Sequence, residues 1–414
     1  RRIRVALDTD DLALRQARGE QMGALTAGTA RFHHPFGPLG AQRGTQEEYF
    51  AEQNALVLVR NVCHGSCVVV GDGSRLGEDV FDGDHGVGRT AHLGNAADYT
   101  SGHPAARSMR REMAEPIIDG HASSASMIRI GLFVVWLLRL LPFPVLKQVG
   151  KGLGLVLYAA AKERRRIARI NLRLCFPELD ERQRERLVRA HFKAAGRGLL
   201  ERGILWWSSA DRIRRLVRLE GKEHFEAVRD RPVILLAPHF VGMDMGGVRF
   251  SIDHDCASVY GPQRNKVANR MLLRGRTRFG NARLISRKEG VRPIIATLRE
   301  GWPLYYLPDQ DFGPRNAIFA PFFGIPAATL TALPRIARIA GAAVVPFVTR
   351  QTEDGYVARF YPAWEGYPSG DIEADTARMN AFIESLVREM PEQYYWLHRR
   401  FKTRPPGEPS LYRS

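Results

Sequence analysis

The chain has 414 residues, 44% of them hydrophobic, and a formal net charge of +17 at pH 7. That length exceeds the usual single small domain and allows a large core, while four cysteines (Cys63, Cys67, Cys175, Cys256) are too few for a disulfide framework and fit a reducing compartment. The charge is divided unevenly: residues 1–126 carry 13 Arg, no Lys and 16 acidic residues (net −3), whereas residues 127–414 carry 48 basic and 28 acidic residues (net +20). The second part therefore asks for an anionic partner: nucleic acid, a phospholipid surface, a phosphorylated lipid or an acidic carrier protein.

Residues 1–126 are rich in Gly, Asp, Arg and His and hold 7 of the 12 histidines. Only 57–59 and 68–70 suggest short strands, and the run GDGSRLGEDVFDGDHGVGRT offers little to bury, so this part is expected to have low order. Cys63, His64 and Cys67 form a C-H-x-x-C group without a second half, and no metal site is expected. Because Met127 directly precedes an apolar run, residues 1–126 are read as upstream sequence joined to a protein that starts at Met127, a divergent accessory region being the alternative.

Residues 130–146, IGLFVVWLLRLLPFPVL, are apolar apart from Arg139, and as a helix would span about 25 Å. This is marginal for a bilayer, and Pro142 and Pro144 would break its C-terminal end. A short tilted span, an in-plane anchor and a core helix are all compatible with it. The KERRRIAR run (Lys162–Arg169) places the remainder on the cytoplasmic side by the positive-inside tendency.

From Arg231 onward apolar strands alternate with helical patterns, as an α/β sheet requires. Val233–Ala237, Trp302–Leu307 and Ala343–Val348 read as strands, and Leu330–Ala340 and Met379–Met390 as helices, the former stopped by Gly341. There is no internal repeat, glycine-lysine phosphate loop or G-x-S-x-G elbow.

His239 lies just beyond the first of these strands, and Asp244 five positions later in PHFVGMDMGG. On one continuous helix the two could not share a face, but at a strand-to-helix junction they can meet, with Gly242, Gly246 and Gly247 allowing a tight turn and close approach by a substrate. A carboxylate on one imidazole nitrogen fixes the tautomer and leaves the other to take a proton from a hydroxyl. Without an enzyme serine, such a dyad can activate a substrate's own hydroxyl, a satisfied structural histidine being the alternative that the bare pattern leaves open.

Five blocks, RRIARINLRLCFPEL, LLAPHFVGMD, YGPQRNK, PDQDFGPRNAIFAPFFGIPAATLTALPRIARIAGAAVVPFV and YYWLHRRFKTRP, resemble the lipid A biosynthesis acyltransferases of the glycerolipid acyltransferase superfamily, over residues 127–404. The resemblance implies an α/β fold: a mixed sheet flanked by helices, preceded by a hydrophobic membrane helix at 127–150, an acyltransferase domain at 151–404 and a tail at 405–414. It also implies fatty acyl transfer from acyl carrier protein to a hydroxyacyl chain of a Kdo-bearing lipid A precursor. No cofactor or metal is implied, and the place of reaction would be the cytoplasmic face of the inner membrane.

Carried over residue by residue, His239 is the general base and Asp244 the acid that orients it. Arg287 in LISRKEG is read as a phosphate or acyl-carrier contact, with Arg264 and Arg276 extending a basic substrate-binding stretch and Arg278 beside them. Asp309 and Asp311 occupy the position of the superfamily's substrate loop and are read as substrate contacts, a turn-capping role being the alternative for Asp311. Phe312, Phe319, Phe322 and Phe323 are either core or acyl channel, and Pro346 resembles the fourth superfamily block. The aromatic and basic C-terminal block is read as an interfacial membrane surface rather than a nucleic-acid platform. Two other functions compete: a metal-dependent phosphoesterase built on His239, Asp244, Asp309 and Asp311, and a basic membrane-anchored binding protein without catalysis.

Overall fold

The computed structural model describes residues 122–263 and 265–412. The expected strands at 57–59 and 68–70, the Cys63/Cys67 group and Arg264 lie outside the described residues.

Four helices come first: α1 (Ala122–Leu138), α2 (Phe143–Ala160), α3 (Lys162–Cys175) and α4 (Glu181–Trp207). The apolar run read as one helix is thus two. Its chain turns between Leu138 and Phe143, where Pro142 caps α2 and Pro144 sits in its first turn, positions at which a missing N–H costs nothing. No described helix is long and apolar enough to cross a membrane, which corrects the expected transmembrane segment. The helix also begins at Ala122, ahead of Met127.

Asp180 and Gln183 form a capping box that starts α4. Helices α2 and α4 pack almost backbone to backbone: a Cβ on Gly154 would stand 2.2 Å from the Phe192 carbonyl oxygen, and one on Gly196 2.4 Å from that of Gly150. Further along α4, buried Glu201 accepts from Arg197 Nε at 3.0 Å and from the Tyr356 hydroxyl, fixing the helix to the sheet.

The chain then alternates: α5 (Ala210–Leu216), β1 (Val217–Glu220), α6 (Lys222–Glu226), β2 (Val233–Leu236), α7 (Met243–Ser251), β3 (Cys256–Tyr260), α8 (Lys266–Arg276), β4 (Ala282–Ser286), α9 (Arg292–Arg299) and β5 (Leu304–Tyr306). It continues with the hairpin β6 (Ala317–Phe322) and β7 (Ile325–Leu330), α10 (Ala332–Ala340), β8 (Ala343–Gln351), β9 (Tyr356–Phe360) and α11 (Ile372–Glu389). The main sheet has seven strands in the order β1-β9-β8-β2-β5-β3-β4, parallel except where β9 meets β8.

Alternation along β2 explains the layers. Ile234 and Leu236 join one core with α3, α10 and α11, while Val233 and Leu235 join the other with α4 and α7, so every residue of the strand is buried. The three strands and two helices read from the sequence are all present, Trp302–Leu307 shortened to Leu304–Tyr306 and the helix at Leu330 beginning two residues later because Leu330 ends β7. Gly341 stops α10 with φ of +64°, the left-handed conformation expected of a helix-ending glycine.

Candidate active site

The strand order reverses around β2, which has β8 on one side and β5 on the other. In α/β sheets the crevice at such a point, beyond the carboxyl ends of the strands, is where sites form. Strands β2 and β5 run parallel with Leu236 opposite Tyr306, and Ala237 N–H donates to Tyr306 O at 2.9 Å. His239 is three residues beyond Leu236, and Asp309 three beyond Tyr306. Equal offsets on neighbouring parallel strands bring the two residues side by side.

Asp309 Oδ1 lies 2.6 Å from His239 Nδ1, and Asp309 Oδ2 accepts the His239 backbone N–H at 2.9 Å. A carboxylate only accepts, so Nδ1 carries the proton and donates it. Both residues are almost wholly buried, His239 at 3% and Asp309 at 1% exposure. Burial alone would raise the Asp309 carboxyl, but the His239 ring, its backbone N–H and the more distant Arg400 hold it below its ordinary value. The pair is thus a fixed carboxylate–imidazole couple.

Asp244 occupies the first turn of α7, where a negative charge suits the helix dipole, but its carboxylate is engaged elsewhere. Oδ2 accepts from Arg202 Nη2 and Oδ1 from Arg276 Nη2, each at 3.1 Å. The residue holding Nδ1 of His239 is therefore Asp309, and the orienting role read for Asp244 passes to it. The physical reason is register: a turn of five residues separates His239 from Asp244, whereas β2 and β5 place His239 and Asp309 directly abreast. The glycines of that turn serve packing, not substrate approach, since a Cβ on Gly246 would stand 1.9 Å from Thr349 Oγ1 and one on Gly247 3.2 Å from the Tyr305 ring.

Asp311, read as a substrate contact or a turn cap, has its carboxylate taken up within the fold. It is completely buried, and its oxygens accept from Thr403 N and Thr403 Oγ1 at 2.8 Å and from Gly313 N at 2.9 Å, so the turn-capping alternative describes it. Arg276 is one of the two arginines on Asp244; the other is Arg202 on α4, which the sequence does not mark out, since it follows Glu201 within a long helix rich in charged residues. Arg278 donates to Ser208 O at 2.8 Å and clamps the end of α4. Arg287 is exposed at the end of β4, three strands from β2 and roughly 14 Å away by strand spacing.

Beside the Asp244 cluster a cavity of about 390 Å³ opens between α1, α2, α4, α7 and α8. Leu132, Val135, Leu153, Leu157, Met271 and Leu272 give it apolar walls, and Arg202, Asp244 and Arg276 are its charged members. Buried Tyr305 links the two groups: its hydroxyl donates to Met243 O at 2.8 Å, and burial together with the charges of Asp244 and, more weakly, Asp309 raises it well above its ordinary value.

Phe322 is core and Phe323 packs on it, while Phe319 is exposed at the hairpin. Much of the C-terminal block is core, not surface: Tyr394, Trp396, Leu397, Arg400 and Phe401 are all at most 3% exposed, while Arg399 stays exposed. Arg400 donates to Ala328 O and Thr329 Oγ1 at 3.0 Å, which makes its charge tolerable inside. The described cysteines offer no alternative nucleophile. Burial raises Cys175 well above its ordinary value and Cys256 to about 12.

Of the three carboxylates expected in a metal set with His239, Asp309 lies on it while Asp244 and Asp311 are bonded elsewhere, and among the described residues no group of three His, Cys, Asp or Glu is arranged to hold a metal ion. Residues 121–403 match the family described as bacterial lipid A biosynthesis acyltransferase. The chain is 38% identical over 288 residues to the lipid A biosynthesis lauroyltransferase of Escherichia coli strain K12, covering 68% of this chain and 94% of that protein. It is 36% identical over 287 residues to the palmitoleoyltransferase of the same strain (68% and 93%) and 34% identical over 277 residues to its myristoyltransferase (65% and 84%). A buried His–Asp couple at the sheet's switch point, an apolar cavity bordered by the Asp244 cluster and this extent of similarity lead to one conclusion: the chain belongs to the bacterial lipid A biosynthesis acyltransferase family.

Proposed function

We propose that this acyltransferase moves a fatty acyl chain from acyl carrier protein to a hydroxyl on a hydroxyacyl chain of a Kdo-lipid IV(A)-type precursor. The observation that carries this reading is the His239–Asp309 couple: among the described residues both cysteines are thiols raised by burial, and the Tyr394 hydroxyl beside Asp309 is likewise raised well above its ordinary value, so none is a ready nucleophile. His239 removes the acceptor's hydroxyl proton as the oxygen attacks the thioester carbonyl, and Asp309 stabilises the imidazolium that forms. The tetrahedral intermediate then expels the carrier thiolate, which takes up the proton held by His239. No covalent acyl-enzyme is formed and no cofactor is used.

The apolar cavity suits an acyl chain, and Arg202, Asp244 and Arg276 sit where a chain must end and a polar group begin. The cytoplasmic leaflet of the inner membrane fits the α1–α2 hairpin, which exposes Ile130, Phe133, Leu137, Leu140, Val145 and Val156 as one would expect of an in-plane anchor. Acyl transfer by purified protein from acyl carrier protein to a Kdo-bearing precursor tests the reading. His239→Ala is expected to lower kcat by at least about 10²-fold with the fold retained, and near-normal turnover by that variant would overturn the assignment.

A further inference from the structure

The two loops that form the couple come from different strands, and one segment fastens both. After α11 the chain makes a short turn at Pro391–Gln393 and crosses the open ends of β2 and β5. Toward the histidine loop, Gln393 O accepts Val241 N–H at 2.9 Å and Tyr395 N–H donates to His239 O at 3.0 Å, with Phe240 and Tyr394 bridged between them. Toward the aspartate loop, His398 Nε2 accepts Asp311 N–H at 3.2 Å, and Thr403 donates its N–H and its hydroxyl to the Asp311 carboxylate, each at 2.8 Å.

The segment itself is pinned from outside the site. Asn171 of α3 donates to Trp396 O and to His398 O at 2.8 Å, and Trp396 Nε1 donates to Pro391 O at 2.6 Å. Burial keeps His398 neutral, which leaves Nε2 its lone pair for Asp311 N–H. Asp311 is two residues from Asp309, so any slack at Asp311 reaches the carboxylate on His239 directly.

We propose that Asp311, His398 and Thr403 are positioning residues, through which the C-terminal segment holds Asp309 against His239 and so sets the rate of proton transfer. None of the three is assigned contact with substrate. A misplacement of about 1 Å in such a couple costs on the order of 10²-fold. The inference rests on His239 being the base.

The test uses the full chain and steady-state acyl transfer, with thermal unfolding measured on each variant. Thr403→Val, which keeps shape but loses the hydroxyl donor, is expected to lower kcat by roughly 10- to 100-fold with KM within about twofold. Thr403→Ser is expected to restore most of it. Because the effect passes through Asp309, Thr403→Val added to Asp309→Asn is expected to lose less than about threefold more. If Thr403→Val does not fold, Asp311→Asn, alone and with Asp309→Asn, takes its place in the same comparison. Unchanged kcat, a loss confined to KM, or full additivity with Asp309→Asn would overturn the proposal. An active His239→Ala would instead overturn the underlying mechanism, so the two failures are distinguishable.

Discussion

Asp309 and Asp244 are both carboxylates near one histidine, yet their surroundings assign them different work. Asp309 is buried, bonded twice to His239 and kept ionised by it. Asp244 is half-buried between two guanidinium groups at the edge of an apolar cavity. Proximity in sequence favours Asp244 as the histidine's partner, while proximity in the sheet gives Asp309. Where two strands run parallel and in register, residues 70 apart can be nearer than residues five apart.

The sharpest way to break this contrast is to remove each charge in turn. Asp309→Asn is expected to lower kcat by about 10²- to 10⁴-fold, since the amide can hold the wrong tautomer. Asp244→Asn leaves His239 held, and is expected to cost about 10- to 100-fold in kcat/KM through weakened bonds to Arg202 and Arg276. Steady-state kinetics at saturating and limiting acyl donor separate the two.

A second contrast lies between the buried histidines and the buried aspartate as pH falls. Burial lowers His191 from 6.5 to about 4, so the unfolded chain binds a proton that the fold refuses. Its favourable contribution is complete above about pH 6.5 and declines toward pH 4, with a slope of up to about 1.4 kcal/mol per pH unit. His398, also depressed by burial, adds in the same direction. Asp309 acts lower: held below 3.8, it contributes stability above that value and loses it as pH falls through its folded value. Denaturant titrations from pH 7 to 4 are expected to show the slope, and His191→Asn to flatten it.

Much of this molecule is legible in its sequence. The strands around VILLA and VVPFV, the Gly341 stop and the apolar stripe Met379, Ile383, Leu386 and Val387 follow from local periodicity, which short-range packing enforces. Even the site left a trace, because LLAPH and YYLPD each put a proline and then a polar residue after a strand. What periodicity does not carry is register between strands distant in sequence, and so the pairing across the site stayed hidden. Composition likewise does not separate a membrane surface from a core at YYWLHRRF, where Tyr394, Trp396 and Phe401 are buried and Arg400 is satisfied by carbonyl and hydroxyl oxygens.

Two smaller effects compare the packed and the exposed face of α2. Gly154→Val would force α2 off α4 and is expected to destabilise by about 1–3 kcal/mol, read as a lower unfolding midpoint with the site chemistry intact. Exposed Val156→Ser removes apolar surface from the hairpin without touching the core, and is expected to weaken binding to phospholipid vesicles by about 1 kcal/mol, roughly fivefold, with stability unchanged.

The central claim concerns which carboxylate holds His239, and nuclear magnetic resonance of histidine-labelled protein addresses it without any substrate. A proton on Nδ1 facing a carboxylate oxygen at 2.6 Å gives a low-field resonance attached to a ring nitrogen. That resonance is expected to persist in Asp244→Asn and to vanish or move far upfield in Asp309→Asn. Loss of it in Asp244→Asn, with Asp309→Asn unchanged, would contradict the account.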